Sequence, residues 1–174
     1  MLEKNWRDLI KPKGLDVDKE SLSSSYGKFI AKPLERGFGT TLGNSLRRIL
    51  LSSIQGAAIT AVKIEGVLHE FSTIPGVLED VTDIILNLKT VGVRLHSETP
   101  RKIRLNVTRS GTVKSADILC PSEVEILDPD IVICTLDEGG KLNMELTVES
   151  GKGYVPAGQL VQEDKPIGVI LSRR

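Results

Sequence analysis

Ile103, Leu105 and Val107 alternate with Arg104, Asn106 and Thr108, and Leu142, Met144, Leu146 and Val148 repeat the pattern beyond Gly139-Gly140. A period of two sends the apolar side chains to one face of a strand and the polar ones to the other. Each segment therefore predicts a strand with one face buried and one wet, the mark of antiparallel sheet. Asp128-Pro129-Asp130 and Ser110-Gly111 supply turns. Within AAITAVKIEGVLHEF, Ile59, Ala61, Val62 and Ile64 predict another strand. A chain of 174 residues is long enough to bury a real core and to form one or two domains. There is no internal repeat and no low-complexity tract.

The first half reads differently. Residues 1–14 are polar and punctuated by Pro12 and Gly14, which predicts a loose arm. Residues 15–32, with Ser21, Ser23, Ser24 and Ser25 ahead of Tyr26-Gly-Lys-Phe-Ile-Ala31, predict a hairpin. GFGTTLGNSLRRILLSS, residues 37–53, predicts a helix opened by glycines. A second helix is predicted from about Pro75 to Lys89, with Glu79 and Asp80 in its first turn and Lys89 in its last to complement the helix dipole. The fold class is α+β: two helices and a strand-rich second half.

Gly37, Gly39 and Gly43 admit a nucleotide-binding reading, with Glu65 at a suitable distance to hold a ribose. Against it, Ala31-Lys-Pro-Leu-Glu-Arg36 carries a proline and three charges where a buried parallel strand would have to run. Arg47 and Arg48 admit a nucleic-acid reading, but two arginines give few phosphate contacts and aromatic residues for stacking are scarce. On a helical wheel of about 100° per residue, Leu42, Leu46, Ile49, Leu50 and Ile54 form one stripe expected to face a core. Leu51 points the other way, beside Asn44, Arg48 and Ser52. On the second helix Val77, Leu78, Val81, Ile84, Ile85 and Leu88 form the stripe, and Leu86 lies opposite it, next to Glu79 and Asp83. An apolar residue beside a charge on each helix fits a docking surface with a polar rim. Spacing alone leaves ordinary helix surface equally open.

Lysine plus arginine and aspartate plus glutamate are equal at 23 each, so no net field draws the chain to nucleic acid or an anionic membrane. No apolar run is long enough to span a bilayer, and the first residues carry no signal-peptide core, which makes the cytoplasm the expected location. Cys120 and Cys134 have thirteen residues between them and match neither a disulfide framework nor a redox or zinc motif. His69-Glu70 lacks the second histidine of a zinc-protease motif, no serine sits in a nucleophile elbow, and Gly151-Lys-Gly153 is no phosphate loop. The expectation is a binding or scaffold protein with no catalytic residues of its own, no metal and no cofactor.

The run PLERGFGTTLGNSLRRILLSSIQGAAITAVKIEGVLHEFSTIPGVLEDVTDIILNLK closely resembles the N-terminal domain of the bacterial DNA-directed RNA polymerase α subunit, as do GKGYVPA and DKPIG. The similarity covers roughly residues 15–170. It implies a non-catalytic assembly subunit of a nucleotidyltransferase complex in DNA-templated transcription, whose homodimer scaffolds the β and β′ subunits. It also implies a discontinuous dimerisation subdomain, residues 1–54 with a returning C-terminal part, and an inserted, strand-rich, mainly antiparallel subdomain at 55–167 that contacts the large subunits. Arg48, Leu51 and Asp83 match β contacts, and Lys89, together with Leu86, a large-subunit contact. Leu42, Leu46, Ile49 and Leu50 form the dimer or core face of the first helix.

In that family another long helix follows the Pro-Ile-Gly segment, and then a linker and a DNA- and activator-binding domain. The present sequence reaches Gly168-Val-Ile-Leu-Ser-Arg-Arg174. The returning part is thus expected to be largely absent, 168–174 only, leaving part of the Leu42/Leu46/Ile49/Leu50 stripe without its cover. No direct DNA binding is expected of these residues.

Overall fold

The computed structural model describes residues 8–23, 25–155 and 168–171. They fall into two compact units, Met1–Leu50 and Leu51–Arg174.

In the first unit, residues 8–14 carry no regular structure, as expected of the arm; residues 1–7 lie outside the described residues. Strands β1 (Leu15–Val17) and β2 (Phe29–Ala31) form the predicted hairpin, with Leu15 opposite Ala31 and Val17 opposite Phe29. Asp18 N–H donates to the Lys28 carbonyl (3.0 Å) to close the ladder, and the Ser23 hydroxyl accepts from Tyr26 N–H (3.0 Å) in the turn. Helix α1 (Phe38–Ser53) follows and crosses the unit boundary. Gly37, at φ +91°, turns the chain into it.

The second unit is built on a seven-stranded antiparallel sheet. Its strands are β3 (Gln55–Ile64), β4 (Val93–Leu95), β5 (Arg101–Val107), β7 (Ile118–Leu119), β8 (Val124–Ile126), β10 (Leu142–Lys152) and β11 (Val169–Leu171). They lie in the order β7-β5-β10-β3-β4-β8, and β11 pairs with β3 at Ala61 to Lys63. β10 is the spine. Met144 faces Leu105 on one side and Ile64 on the other, so the two alternating segments meet in register. Their apolar positions, Ile103, Leu105, Val107, Leu142, Met144, Leu146 and Val148, are all buried. Thr60 is skipped in the β3–β10 register, a bulge that its hydroxyl helps to satisfy through the Thr147 carbonyl. A separate two-stranded ladder joins β6 (Gly111–Lys114) to β9 (Val132–Leu136).

Helix α2 (Val81–Leu88) buries Val81, Ile84, Ile85 and Leu88 in this core. Eight residues are too few for a helix to stand alone in water. Four buried branched side chains contribute roughly 6–12 kcal/mol of transfer free energy, so packing and not propensity holds it. The helix starts later than its sequence predicts. Gly76 takes φ +76°, Val77 forms a bridge to Leu136, and Asp80 is the N-cap, accepting from Asp83 N–H at 2.8 Å. Val77 and Leu78 therefore belong to a turn and not to the helical stripe, and Glu79 is outside the first helical turn.

Candidate subunit interface

Helix α1 departs from its expected role as a core element. None of its residues is buried, and Leu42, Leu46, Ile49, Leu50 and Ile54 are between 43 and 59% exposed. Leu51, read as the outlier, is 54% exposed and so no different from the stripe. The stripe is real as a helical pattern, but none of its members is buried among the described residues. Gly39 and Gly43 lie inside the helix, and its first turn is closed by Thr41 N–H to the Gly37 carbonyl (3.3 Å). A loop able to wrap phosphates at all three glycines is therefore not formed. Every strand pairing of the described residues is antiparallel, which also removes the parallel strand that a dinucleotide fingerprint requires. Neither fact supports the nucleotide-binding reading. At the C-terminal end of α1, Gly153 N–H donates to the Ile54 carbonyl (3.1 Å), tying that end to the strand β10 segment.

Helix α2 separates its faces cleanly. Its inner side is the core stripe; Asp83 and Leu86 are exposed on the opposite side, Leu86 by 52%, and Lys89 is exposed nearer the margin of the stripe. Positions three and four apart are neighbours on a helix surface, so Asp83 and Leu86 adjoin each other, and Leu86 adjoins Lys89. Lys89 is the C-cap, its N–H bonded to the Ile85 carbonyl at 3.1 Å. The face is extended by a loop: Thr82 Oγ1 donates to the Glu70 carbonyl (3.0 Å), and Glu70 is flanked by the exposed Leu68 and Phe71. Ser72 Oγ and His69 Nδ1 stand 3.1 Å apart in the same loop. They are three residues apart in sequence, and the Ser72 carbonyl also receives Val81 N–H (3.1 Å), so the pair staples the loop to the helix.

Two side chains fix this helix: Glu79, which the wheel sets beside Leu86, and Asn87, which it does not single out. The Glu79 carboxylate accepts from Thr135 N–H (2.7 Å) and Thr135 Oγ1 (3.1 Å), and Asn87 Nδ2 donates to the Ile133 carbonyl (2.9 Å). No spacing rule signals them, because their partners lie on a distant strand.

The wet face of the sheet is self-compensated. Glu145 is flanked by Lys102 (2.6 Å) and Arg104 (3.8 Å) and lies opposite Lys63 across β3. The Lys102 hydrogen bond, with the neighbouring positive charges, holds its carboxyl below the usual range. An open hollow of about 520 Å³ over this face is lined by Lys63, Glu65, Arg104, Asn106, Asn143, Met144 and Glu145. Its acids are already engaged, Glu65 by Asn143 Nδ2 at 2.8 Å. Burial, with Glu79's charge second, pushes the Cys134 thiol up to about 12, so it is no nucleophile. Among the described residues no group of three His, Cys, Asp or Glu side chains is placed to hold a metal ion.

A strand-rich α+β body with one short helix presenting a mixed apolar and charged face is consistent with a sequence match to a known family. The family described as the RNA polymerase Rpb3/RpoA insert domain matches residues 62–172, well over half of the chain. The chain belongs to this family. It has the role of an RNA polymerase subunit in transcription, working in assembly with other subunits, and is an α-type N-terminal domain. The match takes in α2 with Asp83, Leu86 and Lys89. Arg48, Leu51 and the α1 stripe lie before it. No helix of the described residues is long and apolar enough to cross a membrane.

Proposed function

We propose that the chain is a non-catalytic assembly subunit whose homodimer scaffolds the β and β′ subunits of RNA polymerase. Residues 1–54, with 168–174, serve the dimer, and 55–167 meet the large subunits. Arg48, Leu51 and Asp83 contact β; Lys89 and Leu86 contact a large subunit; Leu42, Leu46, Ile49 and Leu50 meet the second copy. The observation that carries the reading is the outer face of α2. It lies inside the family match, and its opposite side is fully committed to the core, so Asp83 and Leu86 are free to be used without cost to the fold. The exposed α1 stripe supports the dimer, because monomeric proteins seldom leave so continuous an apolar face in water.

The test is capture of β by the full chain and by Arg48→Ala and Leu86→Glu. Each variant is expected to reduce capture about tenfold or more, the scale of an interface hot spot. Circular dichroism should stay unchanged, since neither residue is buried. Variants that capture β as well as the parent chain, or a parent that captures none, would contradict the assignment.

A further inference from the structure

We propose that Glu79 and Asn87 are positioning residues that clamp helix α2 to the edge of strand β9 away from β6 and thereby set how Asp83 and Leu86 meet a large subunit. The inference rests on the assembly role just described and adds to it the device that makes the docking face rigid.

Burial of the inner stripe holds α2 on the sheet but is non-directional, so it leaves sliding and rotation loosely specified. Directional bonds remove that freedom. β9 pairs with β6 along one edge, and among the described residues its other edge pairs only through the isolated Val77–Leu136 bridge. Its other edge receives Leu78 N–H at the Thr135 carbonyl (3.0 Å), the Glu79 carboxylate at Thr135 N–H and Oγ1, and the Asn87 amide at the Ile133 carbonyl. Thr135 and Ile133 are alternate residues and so address the same side of the strand, roughly 7 Å apart. Glu79 precedes the N-cap and Asn87 lies in the last turn, so the two anchors bracket the helix at its ends. Two anchors fix translation and rotation together, and one would not. Asn87 is half-buried, one turn after Asp83 and next to Leu86, at the margin between the buried and exposed faces. Glu79 is half-buried as well, and its carboxylate satisfies a strand N–H that would otherwise be left open on a sheet edge.

Cys134 lies between the two anchor points, fully buried, and reports on the clamp. The experiment compares Glu79→Ala with Glu79→Gln in the full chain, reading iodoacetamide labelling of Cys134 by mass spectrometry and capture of β. Glutamine keeps an acceptor for Thr135 and loses only the charge. Glu79→Ala is expected to label Cys134 and to lose capture, each by about tenfold, the scale of a lost charge-assisted hydrogen bond. Glu79→Gln should capture β as the parent does and label Cys134 only slightly faster, because it removes the charge that adds to burial in holding that thiol up. Should Glu79→Ala unfold the chain, Thr135→Val, which removes only the Oγ1 bond, is expected to give the same paired changes at smaller size. Unchanged labelling in Glu79→Ala overturns the clamp. Faster labelling with unchanged capture overturns its role in presentation. A parent chain that fails to capture β overturns the assembly reading, while labelling still judges the clamp.

Discussion

Gly76 and Gly140 cross backbone against backbone beneath the start of α2. Gly76 adopts φ +76°, and a Cβ there would stand 2.6 Å from the Gly140 Cα. A Cβ on Gly140 would collide with the Gly76 carbonyl oxygen, which already accepts from Asp137 N–H at 2.9 Å. Neither neighbour has a side chain that can swing aside. Gly76→Ala combines a left-handed backbone with this clash and is expected to cost about 2–3 kcal/mol. A urea unfolding midpoint unchanged by the substitution would contradict the packing described. In the sequence, Pro75-Gly76 reads as a helix start, because proline and glycine punctuate chains locally. The requirement for glycine comes from Gly140, far along the chain, and no local pattern carries it.

Among the elements, the corner from β5 through β6 into the 3-10 turn Ser115–Asp117 is held by one carboxylate. Asp117 accepts Lys114 N–H at 2.9 Å and both oxygens receive Arg109 Nη2 at 2.8 Å. The Lys114 N–H bond is the main cause that lowers its carboxyl from the ordinary value, with Arg109 adding to it against the cost of burial. A carboxyl that is more acidic in the folded state stabilises fully above its unfolded pKa, near about 4. That stabilisation fades as pH falls through this value toward the lowered one. The gap in thermal midpoint between the parent and Asp117→Asn should therefore be widest at neutral pH and close on acidification below about pH 4. A gap that stays constant would mean that Asp117 acts through shape alone. The central strands were legible in the sequence because Ile103 to Val107 and Leu142 to Val148 bury one face each, and period two records that directly. Helix α2 was legible as to its stripe from Val81 to Leu88 but not its start, since Glu79 and Asp80 look like first-turn acids. One is in fact a strand clamp and the other the cap. Asp83 and Leu86 were legible as off-stripe positions and Lys89 only through the family resemblance, at the stripe's margin, whereas the bonds of Glu79 and Asn87 run to long-range partners and left no periodic trace.

At the scale of the whole molecule the two units differ in what they bury. The second has a continuous core running from Ile59 to Ile170. Among the described residues of the first, from 8 to 50, none is buried. A two-stranded ribbon and one amphipathic helix do not bury enough apolar surface to be stable by themselves, a shortfall that the proposed dimer role of the first unit would make up. An apolar stripe records that a face is to be covered, not that the same chain covers it. The compact units divide between Leu50 and Leu51, and strand β11, Val169–Leu171, pairs with β3 in the sheet of the second unit. Assembly is the central claim, and its most direct test is the mass, by light scattering, of the complex purified from co-expression of this chain with β and β′. The account predicts a particle holding two copies of the chain with one β and one β′. A chain that elutes alone at monomer mass, with β and β′ elsewhere on the column, would contradict it.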